Sequence, residues 1–343
     1  MLQKIAPQTL RLLALVAVMV LITLFFASQI SGFLNGRLFN RISSSVAIMA
    51  LIATGQTLVI LTRNIDLSVG SIVGFVAFAT GLMVGHHPDL NPIVLLVFSM
   101  LIGAGFGLVN GVLVAYARVP SIIVTLATMA LYRSSLVWFS DGKSITTESL
   151  PQWLINFPNT VLFSLGAMEF RAAFCASLVV VIAVALAMAK LRPARQIYAV
   201  GSNPEAADLA GIDAARVVLA AFVLSGVLSG LAGYMFLARY GTITVVAGLG
   251  FELKSVASAV VGGVNIFGGS GSVIGAFLGA ILVDLLENGL RLLPGLSEFW
   301  REAVLGALIL AAVATDTVIS RRLAAVRAAR AQKEALAARE VAP

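Results

Sequence analysis

The chain has 343 residues, 59% hydrophobic and 11% charged, with a formal net charge of +7 and a mean hydropathy of +1.01. A soluble domain carries about 25% charged residues, so the chain lacks the ionic groups to cover a water-facing surface. Its apolar residues come in runs near the roughly 20 residues that span a bilayer, without the dyad alternation of a membrane β-barrel. The sequence therefore predicts an all-α polytopic membrane protein, because a backbone in lipid must satisfy its own polar groups. The positive charge sits in loops and tail, where the positive-inside rule accounts for it without nucleic acid.

The first predicted span is Leu12 to Ala27, behind Lys4 and Arg11. No convincing A-x-A cleavage site follows, so it reads as an uncleaved helix entering from the cytoplasm. Arg37 and Arg41 occupy the next loop and are an exception to a strict positive-inside count. The second span, Ser44 to Leu61, ends at Thr62-Arg63-Asn64-Ile65-Asp66, and the third runs from Leu67 to Val84. His86, His87 and Asp89 then form a turn, with too few ligands for a metal site. The fourth and fifth spans are Pro92–Tyr116 and Ser121–Phe139. The mixed segment 140–171, with Trp153, Phe157 and Phe163, suits an interfacial excursion on the outer side.

The sixth span, Ala172–Ala189, leads into the most polar interior stretch, Lys190 to Arg216. A short helix is expected at its centre. Asn203 can cap it, Pro204 fits its first position, Glu205 complements its dipole and Gly211 can end it in the left-handed conformation. Four further spans follow: Val217–Ala238, a weakly apolar Phe251–Phe267, Ser272–Leu293 and Phe299–Val318. This gives a transmembrane domain, 1–319, of about ten spans with both termini on one side, and a basic tail, 320–343. Arg63, Arg118, the 190–216 loop and the tail cations share that side, which places it in the cytoplasm.

Two segments echo each other at constant offset. Asn64-Ile65 and Gly70-Ser71 with Gly74 match Asn265-Ile266 and Gly271-Ser272 with Gly275. Gly-interrupted segments in corresponding places of a transporter point to a substrate path, while Gly271, Gly275 and Gly279 have the spacing of close helix packing. Both readings are open on the sequence. The candidate pathway residues are Asn64, Asp66, Ser68, Asn265, Ser270 and Ser272. Asp284, Glu287 and Arg291 share one helical face, and the i, i+4 spacing suggests a Glu287–Arg291 pair. Gly142-Lys143-Ser144 imitates the end of a P-loop, but Val137 stands where its first glycine belongs, so no ATPase is recognisable. No catalytic constellation appears, and Cys175 as the single cysteine excludes an intrachain disulfide.

The stretches LTRNIDLSVGSIVG (61–74), NGVLVAYARVPSIIVTLATMALYR (110–133), NPEAADLAGI (203–212) and FELKSVASAVVGGVNIFGGSGSVIGAFLGA (251–280) resemble the ribose-type sugar permeases of bacterial ABC importers. The similarity covers nearly all of the chain except the tail. Within that family the chain is most similar to permeases for rhamnose and for the furanosyl signal autoinducer-2.

The resemblance implies a channel-forming, non-enzymatic subunit in the inner membrane. Its implied partners are cytoplasmic ATPases that bind ATP and Mg, a periplasmic sugar-binding protein and a second permease subunit, identical or different. No cofactor is implied for this chain. The resemblance assigns ATPase coupling to Asn203, Pro204, Glu205, Ala206, Ala207, Asp208 and Gly211. The alternatives are a stand-alone secondary transporter, with Asp66, Glu252, Asp284 and Glu287 as candidate coupling carboxylates, and an integral-membrane enzyme.

Overall fold

The computed structural model describes residues 7–293 and isolated positions between 300 and 311. Among the described residues, eight helices have the length and composition to cross a membrane. They are α1 (Pro7–Gln29), α2 (Gly36–Leu61), α3 (Val69–His86), α4 (Pro92–Ala115), α5 (Ser121–Ser140), α7 (Ala172–Lys190), α10 (Ala214–Tyr240) and α12 (Val273–Leu292). Shorter elements lie between them: α6 (Gln152–Asn156), α8 (Arg192–Ser202), α9 (Pro204–Leu209) and α11 (Phe251–Val261). The predicted tenth span, Phe299–Val318, lies outside the described residues apart from those isolated positions, as does the tail.

Side-chain caps set several boundaries. Asn35 accepts from the Leu38 amide at 2.8 Å at the start of α2, Asp213 from Arg216 at 3.0 Å before α10, and Ser272 from Gly275 at 3.0 Å before α12. Helix α2 is almost wholly enclosed, whereas α1, α4, α5 and α7 turn large apolar faces outward, as lipid-facing helices must. The core sits where α10 packs on α4, α2 and α3. Small residues allow that approach: Gly103 and Gly107 of α4 lie backbone to backbone against Gly226, Gly230 and Phe222 of α10.

The expectation of all-α spans has one addition. Strands β1 (Val161–Leu165) and β2 (Met168–Arg171) form an antiparallel hairpin outside the bundle. It covers the first turns of α2, where Asn40 Oδ1 accepts from the Glu169 amide at 2.8 Å. The opposite end of α2 is covered by α8 and the loop 262–272, whose Gly269 amide donates to the Leu61 carbonyl at 3.0 Å.

The predicted eighth span is broken. Helix α11 has 11 residues, about 16 Å at 1.5 Å per residue, roughly half of a bilayer core. It ends in a turn at Gly262 and Gly263, the latter with φ +88°. Before it, the non-helical segment 241–250 descends from the hairpin end, with Gly248 and Gly250 in the left-handed region. A second irregular segment, 62–68, rises from the α8 end to the start of α3. The two meet inside the bundle, where Gly70 and Gly248 lie so close that a Cβ on either would collide with the other's carbonyl. Gly74 likewise faces the Ala247 carbonyl.

A paired substitution in α4 tests the packing account. Ala at either Gly105 or Gly107 improves helix propensity by about 1 kcal/mol, but only at Gly107 does the added carbon meet the Phe222 carbonyl, while Gly105 faces open space. Gly105→Ala is expected to leave the thermal unfolding midpoint in detergent unchanged or raised. Gly107→Ala should lower it, since overpacking costs about 1–3 kcal/mol. Equal midpoints would refute the close α4–α10 approach.

Candidate functional site

Irregular backbone inside a bundle must have its polar groups satisfied by neighbours, and here side chains from two helices do so. Gln56 of α2, with its amide turned to match both groups, donates to the Asp66 carbonyl (3.0 Å) and accepts from the Asp66 amide (3.2 Å). From α5, Ser121 Oγ accepts from the Ile65 amide and Thr125 Oγ1 donates to the Ile65 carbonyl. Arg133, also on α5, donates from Nη1 to the carbonyls of Val245 (2.9 Å) and Ala247 (2.6 Å). One α5 face therefore holds both irregular segments.

The carboxylates beside the starts of α3 and α11 each accept locally through one oxygen. Asp66 is fully buried, and its Oδ1 accepts from the amide (2.9 Å) and hydroxyl (2.7 Å) of Ser68. Ser68 Oγ accepts in turn from Asn110 of α4 at 2.8 Å, and Asn110 Oδ1 accepts from the Tyr132 hydroxyl at 3.2 Å. Glu252 Oε1 accepts from the Gly250 amide at 3.1 Å. Both sit where a helix N-terminus favours negative charge.

The other four predicted pathway residues lie near the α8 end. Asn64 and Asn265 are half-buried and fold onto their own loops, bonding to Thr62 and Phe267. Ser270 accepts through its carbonyl from the Asn265 amide, and Ser272 caps α12. The two echoing segments thus flank the end of α2, each leading into a helix. The packing reading holds for Gly275 and Gly279, whose Cβ positions would meet the carbonyls of Gly262 and Ser258.

The loop 190–216 forms two helices. The predicted cap is present, with Asn203 Oδ1 accepting from the Ala206 amide at 3.1 Å, Pro204 in the first turn of α9 and Gly211 at φ +79°. Ala207 is buried under α9, Glu205 and Asp208 are exposed, and Leu209 is 92% exposed at the tip. The preceding α8 is clamped to the bundle. Arg63, itself in the left-handed region, donates to the carbonyls of Gly201 and Ser202, both at 2.6 Å. These are orphan acceptors of the α8 C-terminus. The Tyr198 hydroxyl donates to the Gly271 carbonyl at 3.2 Å, and burial pushes its pKa up, which keeps it a neutral donor.

Two adjoining cavities, of about 350 and 210 Å³, lie at the hairpin end of the bundle and share Arg41, Ile48 and Arg239. Arg37 and Arg171 line the first, and Lys254, Asp284, Glu287 and Arg291 the second. None of the six predicted pathway residues lines either one. The predicted Glu287–Arg291 pair is not the one formed: Lys254 Nζ reaches Glu287 at 2.7 Å, with both side chains largely buried. The break at Gly250 starts α11 beside the C-terminal half of α12, which brings Lys254 within reach of Glu287 across 33 positions. The sequence signal for this cavity was the pair Arg37 and Arg41, which defied the charge count.

A family model described as the permease component of a branched-chain amino acid transport system matches residues 38–313. The chain belongs to this permease family. An autoinducer 2 import system permease protein LsrC from Yersinia enterocolitica serotype O:8 / biotype 1B is 36% identical over 331 residues, 96% of this chain and 88% of the relative. The LsrC protein of Yersinia pestis (strain Pestoides F) is 35% identical over 321 residues, 93% and 88% of the two chains. No solved structure matches. The permease is a multi-pass protein of the inner membrane, and its relatives are transport subunits rather than enzymes.

The ion pair gives a direct test. Glu287→Gln strands the Lys254 ammonium and is expected to cost up to about 3 kcal/mol, as for other broken buried pairs. The double variant Lys254→Met, Glu287→Leu should recover most of that loss. Arg291→Ala should lie within about 0.5 kcal/mol of the native permease, as at exposed positions. Thermal unfolding of the four proteins is the measurement, and a larger loss at Arg291 than at Glu287 would restore the i, i+4 pair.

Proposed function

We propose that the permease forms the channel of an ATP-driven importer for a monosaccharide or similar small polyol, with hydrolysis on a separate cytoplasmic ATPase. The observation that carries this reading is the clamped coupling element. A six-residue helix, capped by Asn203 and ended at Gly211, presents exposed Leu209, Glu205 and Asp208, while Arg63 ties its root to the end of α2. Leu209 stands at the tip of α9, 92% exposed, where a docking partner would cover it. The chain has no recognisable P-loop, so in this reading ATP is hydrolysed on a partner.

In this reading the α8–α9 end is cytoplasmic. Closure of an ATPase dimer pushes α9, and α8 passes the displacement through Arg63 to the segment 62–68 and the loop 262–272. Asn64, Asn265, Ser270 and Ser272 surround the exit, with Asp66 and Ser68 above it. The hairpin end faces the periplasm and a sugar-binding protein, and a second permease subunit completes the channel. The ATP and Mg belong to the ATPase, and this chain needs no cofactor of its own.

The similarity to the LsrC proteins favours autoinducer-2 as the ligand within this class. A secondary transporter is the reading from a different class. Uptake into proteoliposomes separates the two: transport that persists without ATP and collapses with the proton gradient would overturn the importer reading.

The docking tip has its own variants. Leu209→Asp removes an apolar contact worth about 1.5–3 kcal/mol if buried by a partner, so ATPase association should weaken by roughly tenfold or more. Gly211→Trp forces a bulky residue into the left-handed region and should abolish uptake while membrane insertion stays intact. Unchanged association and uptake in both would refute the docking assignment.

A further inference from the structure

The two cavities at the hairpin end carry positive charge that the fold does not neutralise. Six cations line them against two carboxylates. Lys254 is paired with Glu287, Arg171 with Glu169, and Asp284 stands near enough to Arg239 to interact with it. Arg37 and Arg41 have neither a hydrogen bond nor an ion pair among the described residues. The larger cavity, of about 350 Å³, has four guanidiniums in its wall and no carboxylate.

The polar groups left open in that wall are almost all donors. Asn40 Oδ1 is taken by the Glu169 amide and Asn159 Oδ1 by Arg171 Nη1 at 3.2 Å, so each amide has its amino group left to offer. Arg239 Nη1 is buried and unpartnered. A guanidinium has five N–H donors and no acceptor, and a buried polar atom left unpaired is costly. Ser44 is the exception. It gives its proton to the Asn40 carbonyl at 2.7 Å and is left to accept.

We infer that the larger cavity is a binding site for a small soluble oxyanion, a molecule whose phosphate or carboxylate group is held between Arg37, Arg41 and Arg239. The oxygens of such a group accept only, and guanidiniums pair with them bidentately. A neutral ligand would leave the charge uncompensated. Ser44 can take the proton of a hydrogen phosphate or of a neighbouring hydroxyl. The floor of Ala47, Ile48 and Met235 is buried, which strengthens charge-assisted bonds made above it. The smaller cavity continues past Arg41 and Arg239 with Ser45 and Asn288 in its wall, which gives room for the rest of a small molecule. The apolar groove at this end uses other residues of α2, Leu38, Phe39, Ile42 and Val46, and shares no lining residue with the cationic cavity. That separation favours a soluble anion over a lipid headgroup.

The inference goes beyond the importer reading and does not rest on it, since occupancy is measured without ATP or transport. Cys175, the single cysteine, is replaced by Ser, and Ser44→Cys puts a thiol in the cavity wall of the full chain in phosphatidylcholine nanodiscs. Labelling by uncharged N-ethylmaleimide is timed at constant ionic strength with inorganic phosphate, glycerol phosphate or D-gluconate, and with chloride, glycerol or D-ribose. At about ten times its Kd an anion leaves roughly one site in eleven free, so labelling should slow about tenfold. At least one of the three oxyanions should do this, and chloride, glycerol and D-ribose should not. Protection by the phosphates or by gluconate names the group preferred. Arg37→Gln and Arg41→Gln, at exposed positions, should each raise the protecting concentration roughly tenfold or more. The two together should abolish protection, and either single variant decides if the double variant fails to insert. No protection by any oxyanion, or equal protection in these variants, would overturn the site. Protection by glycerol or D-ribose as strong as by the oxyanions would overturn the charge assignment. Protection by poly-L-glutamate alone, or by phosphatidylglycerol in the nanodisc alone, would give the arginines to an acidic protein surface or to lipid and overturn the small-anion site.

Discussion

The arrangement depends on backbone meeting backbone at Gly70 and Gly248. Two irregular segments enter the bundle from opposite ends and come together where α3 and α11 begin. In a hydrocarbon surrounding each unsatisfied amide or carbonyl costs several kcal/mol, so such a crossing persists only where neighbours supply the missing bonds. Gln56, Ser121, Thr125 and Arg133 supply them. Three of the four stand on α5, which explains why a helix with so much lipid-facing surface also carries a polar stripe of Ser121, Thr125 and Thr128.

That crossing explains how the two ends of the molecule are linked. The segment 62–68 begins at Arg63, which holds the C-terminus of α8, and finishes at Asp66 and Ser68, which hold the N-terminus of α3. It is non-helical, and its path is set by those anchors together with the bonds from Gln56, Ser121 and Thr125 to Ile65 and Asp66. In the proposed cycle a displacement at α9 therefore reaches the bundle centre through seven residues rather than through a rigid span. A continuous helix in place of 62–68 would transmit only rigid-body motion and would leave the Gly70–Gly248 contact unchanged.

Much of this was legible in the sequence because the long spans report themselves by run length, and α4, α7 and α10 fall where apolar runs do, while α2 starts at Gly36 rather than Ser44 and takes in Arg37 and Arg41 of the predicted loop. The cap on α9 was legible because its chemistry is local: Asn203, Pro204 and Gly211 act within nine residues. The break before α11 was only half visible. Glu252 and Lys254 made the predicted eighth span weak, but the turn at Gly262 reads like any small-residue packing site until its φ and those of its neighbours are known. The Lys254–Glu287 pair was not legible at all, because a tertiary contact across two helices leaves no periodic trace, whereas Arg291 stands at a spacing that local reasoning favours.

The distribution of charge separates one complete ion pair from a buried carboxylate without one. Lys254 and Glu287 neutralise each other in a largely buried contact that fixes α11 against α12. Asp284 lies one helical turn before Glu287 and gains no such partner for its Oδ2, although Arg239 is near enough to act on it. Were stability the only demand, an apolar residue at 284 would serve as well, since replacing buried ionic groups by packed apolar ones is often neutral or stabilising.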